Sequence, residues 1–330
     1  MKHFKFGVDL GENYREPRQF LECVVLAERL EFDSVWLGDH FMPSFHGGGQ
    51  SAFVWALMAS CLEATERIQL GPIVTAPIGG RYHPAIIAQA AATLDNMYPG
   101  RCLLGVGSGE AVNDAKFFAP GRTWPRWSER IERLVEGVEL IRELWNRPDF
   151  FDFERRFFKM TNVFLYTKPK VRIPIYFSAM GPRAAACAGR VGDHLITIGS
   201  PERCKDVIFP KFEDAARMAG KEPSEMERLV PVLFVIGDRD ASLKLLKSGR
   251  AGFLTRGSSD EPDPRRVESS TAMLNDDVIQ EYFHLCSSVD DLVDIIERYV
   301  AVGVNHLLLG TGASPELLGL IAERILPSFR

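Results

Sequence analysis

Two short segments of this chain carry residue types that could do proton and redox chemistry. The run Gly105-Val106-Gly107-Ser108-Gly109-Glu110-Ala111-Val112-Asn113 follows an apolar stretch, Cys102-Leu103-Leu104. Its three glycines let the backbone turn sharply and lie close to a ligand, and they lead into one carboxylate, Glu110. Earlier, Ser34-Val35-Trp36-Leu37 runs into Gly38-Asp39-His40. An ionised Asp39 would orient the His40 imidazole and raise its basicity, which suits a general base. Taken singly, each feature has a plainer reading. A histidine beside an aspartate is often a structural pair, and a glycine loop is often only a turn. What the two share is their place, at the point where an apolar strand gives way to a loop.

Strand and helix patterns alternate along the whole chain. Short apolar or β-branched runs are expected as strands at 4–9, 34–37, 68–75, 102–106, 174–178, 194–198, 230–236 and 306–309. Between them, periodic segments at 18–30, 52–64, 84–97, 127–145, 182–191, 201–219, 289–302 and 315–325 are expected as helices. Two stretches break the rhythm. Residues 150–172 are aromatic and charged and read as a β-hairpin excursion, and 239–277 read as an irregular one. Eight strand–helix units predict an α/β chain of right-handed parallel βαβ units, with a (β/α)8 TIM barrel as the leading architecture. A doubly wound open sheet is the runner-up. It would need Gly-x-Gly-x-x-Gly after the first strand, and Gly7-Val8-Asp9-Leu10-Gly11-Glu12 does not supply it. Residues 1–330 are expected to form one domain.

Barrel enzymes place their chemistry at the carboxyl ends of the strands. Read in order, those ends offer Asp9 and Glu12; then Asp39, His40 and the loop with Ser44 and Phe45; then Thr75 and Gly79-Gly80-Arg81; then Ser108 and Glu110; then Ser178-Ala179-Met180-Gly181. Met180-Gly181-Pro182 opens a helix whose free N–H groups suit a phosphate.

Composition narrows the classes of function. The net charge of −5 comes without a basic cluster, so no nucleic-acid partner is expected. Apolar runs are too short for a membrane span, and Met1-Lys2-His3-Phe4-Lys5 enters a strand without a signal-peptide core. Six cysteines without a Cys-x-x-Cys pair read as reduced thiols of a cytoplasmic protein. Seven histidines without His-x-x-x-His spacing predict no metal site.

Several segments together resemble the luciferase-like flavin and deazaflavin oxidoreductases, in the branch that uses coenzyme F420. They are Asp33-Ser34-Val35-Trp36 with Asp39-His40-Phe41; Pro84-Ala85-Ile86-Ile87-Ala88-Gln89-Ala90 with Ala92-Thr93-Leu94; and Tyr98-Pro99-Gly100-Arg101. Leu104 to Asn113, Pro174 to Pro182 and Gly192-Asp193-His194 complete the set, so the resemblance spans nearly the whole chain. Within the branch it is greatest to the enzymes that oxidise secondary alcohols and sugar phosphates.

The resemblance implies a homodimer of barrels with F420 in the mouth and a non-prolyl cis peptide at Ile73-Val74. It implies His40, Glu110 and Asp39 as catalytic groups. It places the cofactor against Asp39, Ile73, Val74, Gly107, Ser108, Gly109, Glu110, Asn113, Ser178, Ala179, Met180 and Gly181, and a small-molecule substrate near Glu12, Ser44 and Phe45. The chain also departs from the pattern. Ser44 stands where the alcohol and sugar-phosphate enzymes have tryptophan. Pro201 and Tyr282 stand near the places of phosphate-binding cations, and Phe234 and Arg250 near those of cofactor-tail tryptophans. The expected reaction is hydride transfer between an alcohol carbon and the deazaflavin. The alternatives are reduction of a methylene pterin by reduced F420, an FMN-dependent monooxygenase on the same barrel, and a non-catalytic deazaflavin-binding protein.

Overall fold

The computed structural model describes residues 4–11, 15–43, 46–118, 123–310 and 314–330. Its strands are β1 (Lys5–Asp9), β2 (Ser34–Leu37), β3 (Gln69–Pro72), β4 (Leu104–Val106), β5 (Phe151–Glu154), β6 (Lys159–Val163), β7 (Ile175–Ser178), β8 (His194–Ile196), β9 (Arg228–Ile236), β10 (Phe283–Cys286) and β11 (His306–Gly310). Eight of them pair in the order β3-β2-β1-β11-β9-β8-β7-β4, all parallel. Bridges from Leu70 to Cys102 and from Thr75 to Val106 join β3 to β4, so the sheet closes on itself. This is the (β/α)8 barrel that the alternation predicts.

The strands bury both faces, with the period of two that a pleated strand imposes. Val35 and Leu37 point outward into the helix layer, while Trp36 points inward with Leu103, Tyr176, Ile196, Leu229 and Leu308. Trp36 packs edge-on against Tyr176 in the barrel interior. A Cβ at Gly71 or Gly105 would lie 3.0 or 3.2 Å from its ring, so small residues on the neighbouring strands make room for one large indole. Outside the sheet, α1 (Pro17–Arg29), α2 (Val54–Glu63), α3 (Pro84–Met97), α4 (Ala111–Asp114), α5 (Trp127–Asn146) and α6 (Pro182–Val191) precede the helices of the second half. Both α3 and α6 start on a proline, whose missing N–H costs nothing in a first turn.

The structure adds to the sequence reading in three places. β10 is an additional strand. The long β9 pairs with β8 at its start, with β11 over Leu229–Leu233 and with β10 over Leu233–Ile236, so one strand serves three neighbours. The helix expected over 201–219 is broken into Pro201–Arg203, a π-helical turn Cys204–Ile208 and Phe209–Met218. Pro210 lies at this junction; it lacks an N–H and cannot continue the regular ladder. Residues 239–277 are not irregular. They form short helices, Arg239–Leu245, Pro264–Ser270 and the start of Asp276–Tyr282, linked by a kinked π-helical turn, Leu246–Arg250, and by 3-10 turns. The excursion at 150–172 is the expected hairpin, with β5 antiparallel to β6. No helix among the described residues is long and apolar enough to cross a membrane.

Candidate active site

The carboxyl ends of β2, β3, β4 and β7 converge on a cavity of about 330 Å3. β2 delivers Asp39 and His40 into it. The segment after β3 delivers Ile73, Val74 and Ala76, and then Arg81 and Tyr82. β4 delivers Gly107, Ser108, Gly109 and Glu110, and β7 delivers Ser178 and Met180. These residues, singled out from the sequence, are thus brought together around one cavity. Asn113 also lines the cavity. Ala179 is fully buried, with its carbonyl accepting from Thr197 Oγ1 at 2.6 Å, and Gly181 is the N-cap of α6; neither forms part of the cavity wall. Glu12, Ser44 and Phe45 lie outside the described residues.

Backbone chemistry shapes the wall between β3 and β4. The Ile73–Val74 peptide is cis. Thr75 N donates to the Gly105 carbonyl at 3.0 Å and Gly107 N to the Thr75 carbonyl at 2.9 Å, tying this segment to the glycine run. A Cβ at Gly107 would fall 2.4 Å from Val74 Cγ2, so only glycine lets the two segments approach. Gly109 has φ +75°, the left-handed turn that swings Glu110 to the N-cap of α4. Asn113, one turn on, accepts from Phe41 N at 2.8 Å and Met42 N at 3.2 Å, and donates to Glu110 Oε2 at 3.4 Å. One amide thus connects the loop after Asp39-His40 to the carboxylate after β4.

Asp39 is deeply buried. Its Oδ1 pairs with Arg81 Nη1 at 3.0 Å and accepts from Tyr82 OH at 3.1 Å. The Arg81 guanidinium also donates to the Asp39 carbonyl at 3.1 Å and lies 4.8 Å from the centre of the Tyr82 ring. Burial raises the Asp39 pKa, and the Arg81 charge opposes it. Thr75 lies close enough to favour the Asp39 charge, yet neither Thr75 Oγ1 nor Asp39 Oδ2 has a partner in hydrogen-bonding geometry. The residue chosen from sequence to orient His40 is therefore held chiefly by Arg81 and Tyr82. The His40 charge also acts on Asp9, whose carboxylate burial raises and whose Oδ1 accepts Gly11 N at 2.9 Å.

Arg81, Tyr82 and Asp114 are wall residues to which the sequence reading gave no role. So are Trp127, Arg130 and Ile131 from the first turns of α5, and Ser259 from the 239–277 excursion. That excursion reaches the mouth at three points. Asp260 pairs with the buried Arg130 at 2.7 Å, Lys116 donates to the Pro262 carbonyl at 2.8 Å, and Glu268 accepts from His46 N at 2.8 Å. Among the described residues, no cluster of three or more His, Cys, Asp or Glu side chains is arranged to hold a metal ion.

The site thus has an apolar wall, a buried Asp–Arg pair, an accessible imidazole and a separate carboxylate around one cavity. That set can bind a flat ring, hold a hydroxyl and move a proton. Comparison with known proteins points the same way. The F420-dependent glucose-6-phosphate dehydrogenase of Mycolicibacterium gilvum is 36% identical over 313 residues, covering 93% of this chain and 92% of that protein. An F420-dependent secondary alcohol dehydrogenase, in complex with an F420–acetone adduct, superposes with a TM-score of 0.93 at 36% identity over 99% of both chains. The coenzyme F420-dependent tetrahydromethanopterin reductase of Methanopyrus kandleri shares the fold at 19% identity, with a TM-score of 0.73 over 99% of this chain and all of that one. The sequence pattern of the luciferase-like monooxygenases matches residues 3–306. The chain belongs to that family.

Proposed function

We propose that this protein is an F420-dependent oxidoreductase that moves a hydride between an alcohol carbon and the deazaflavin ring. The observation that carries the reading is one cavity joining Asp39-His40, the cis Ile73–Val74 wall and Gly107 to Glu110, on a chain 36% identical to a protein solved with an F420–acetone adduct. The walls fit such a ring. Ile73, Val74 and Ala76 offer an apolar face, Gly107 keeps it free of a side chain, and Asp39, Asn113 and Ser178 offer polar atoms around it.

When bound, the deazaflavin accepts or returns the hydride. The chain does the rest. His40 takes the hydroxyl proton as the hydride leaves, which limits charge build-up at carbon. Glu110, held by Asn113, would hydrogen-bond the substrate oxygen or supply the proton that the ring takes up with the hydride. The apolar wall excludes water from the reacting centre.

An uncharged alcohol is favoured over a sugar phosphate. Among the described lining residues the arginines are Arg81 and Arg130, and each already faces a carboxylate, Asp39 or Asp260. Ser44 in place of the indole of the resembling enzymes favours a substrate larger or more polar than propan-2-ol, and Ser44→Trp should improve efficiency on the smallest alcohol while losing the largest. We also take the protein to be a cytoplasmic homodimer of single-barrel chains, which sedimentation would check. The test of function is loss of oxidised F420 absorbance with a series of alcohols and with glucose 6-phosphate. Oxygen uptake with reduced FMN would instead make it a monooxygenase, and F420 binding without turnover on any alcohol or pterin would make it a carrier.

A further inference from the structure

Asp114 belongs to no motif, yet both halves of the site meet on it. It is 3% exposed. Its Oδ1 accepts the backbone N–H of Arg81 at 3.4 Å, and its Oδ2 accepts the backbone N–H of Glu110 at 3.2 Å. Two glycines let these loops close on it. A Cβ at Gly109 would lie 2.7 Å from Asp114 Oδ2, and one at Gly80 would lie 3.1 Å from Asp114 Cβ. One loop carries the arginine that holds Asp39, and the other carries Glu110.

We propose that Asp114 is a positioning residue, a clamp that fixes the Arg81–Asp39 pair and the Glu110 carboxylate at their working separation across the cavity. The proposal rests on the oxidoreductase reading of the site. It makes Asp114 act through Arg81 and Glu110 and gives it no contact with reacting atoms.

The clamp is sensitive to charge. An ionised carboxylate accepts from both N–H groups at once, whereas a protonated one gives up part of that capacity. Burial pushes the Asp114 carboxyl up to about 7; the N–H groups of Glu110 and Arg81 pull it back, and the charges of Asp39 and Glu110 push it further up. The groups facing it are Arg81 and Tyr82 after β3, Asp39 after β2 and Glu110 on its own turn. The turn Ser258–Asp260, packed on α4, brings Asp260, which is itself paired with Arg130. Asp114 is therefore expected to gain its charge, and the clamp its grip, around neutral pH.

The test follows the backbone amides of Arg81 and Glu110 by 15N NMR of the full chain, from about pH 5 to about pH 9. Both signals should move together with one midpoint near neutrality, and both should lose that midpoint in Asp114→Asn. The asparagine offers one acceptor oxygen and one amide donor, so it can satisfy only one of the two loops. In the F420 and alcohol assay the same variant should lower kcat roughly tenfold, with KM for alcohol changed less than about twofold. Amides that stay flat in the wild type, a midpoint that persists in Asp114→Asn, or a variant with wild-type kcat would overturn the clamp. A wild type whose amides titrate together but which reduces no F420 would overturn the oxidoreductase reading and leave the clamp standing.

Discussion

The floor of the barrel holds His306, Ser34, Glu227, Tyr176 and Lys5, while its mouth holds His40, Asp39, Asp9, Glu110 and Asp114. By residue type the floor looks the more catalytic, because serine, histidine and glutamate stand in a row. Trp36 Nε1 donates to Ser34 Oγ at 3.0 Å, Ser34 Oγ lies 2.9 Å from His306 Nε2, and His306 Nδ1 lies 2.9 Å from Glu227 Oε2. Tyr176 OH donates to the same carboxylate at 2.7 Å, and Lys5 Nζ pairs with its other oxygen at 2.8 Å. The assignment that satisfies every partner has Ser34 donating to Nε2 and Nδ1–H donating to Glu227. Ser34 and His306 are fully buried, so no substrate reaches that hydroxyl. The mouth is the reverse: Asp39 Oδ2 and Thr75 Oγ1 are buried without partners beside an open cavity. A polar cluster with every bond made is a brace, and one with bonds left to make beside a cavity is a binding site.

Substitutions at the two histidines should separate these roles. His306→Ala strips Glu227 and Ser34 of a buried partner and should cost about 3 kcal/mol or more of stability. Urea unfolding measures this, and an unchanged midpoint would break the comparison. His40→Ala should lower kcat roughly 100-fold or more while F420 affinity and the urea midpoint hold. If instead the midpoint collapses and kcat survives, the mouth is the brace. Glu110→Gln keeps the shape and its link to Asn113 but removes the ionisable proton, so turnover should fall about tenfold, the scale of one strong hydrogen bond. Steady-state kinetics beside a thermal melt would show whether the loss is catalytic or structural.

Acid should act on the two ends in opposite directions. For Glu227, burial works against the charge, but the hydrogen bond from His306 and the nearby Lys5 ammonium outweigh it and hold the carboxyl well below its usual range. Its stabilisation is full above about pH 4.5, the unfolded value, and is lost as pH falls toward the folded one. Burial keeps His306 neutral despite Glu227, so the unfolded chain takes up its proton first and stability falls below about pH 6.5. Asp114, raised to about 7, has the opposite sign, because the folded chain binds its proton more tightly and its penalty grows from pH 3.8 to about 7. Unfolding midpoints across pH should therefore show an acid limb that Glu227→Gln flattens and a decline toward neutrality that Asp114→Asn flattens. An acid limb intact in Glu227→Gln would remove the floor from this account.

The barrel was legible because each strand and helix announces itself locally, through apolar runs and helical periodicity. Asp39-His40 and the Gly107 to Glu110 run were legible because a strand end in a barrel has one address, the rim. What joins them was not. Arg81 finds Asp39, 42 residues away, and Glu227 finds His306, 79 residues away, only through the closed sheet. Arg130 stands on the buried face of its helix, one turn before Leu134, so its charge interrupts the apolar pattern, but nothing local says what it faces. Ser259 lies in a stretch with no periodicity, so its return to the mouth left no local signal. Asp114 did leave one, a second carboxylate one helical turn after Glu110.

The most direct test mixes the protein with oxidised F420 and a series of secondary alcohols and follows the deazaflavin absorbance, in wild type and in His40→Ala. The account predicts alcohol-dependent bleaching by the wild type, slowed roughly 100-fold in the variant while F420 still binds with wild-type affinity. Bleaching at equal rates in both proteins would contradict it, as would FMN bound as tightly as F420 with no alcohol oxidised.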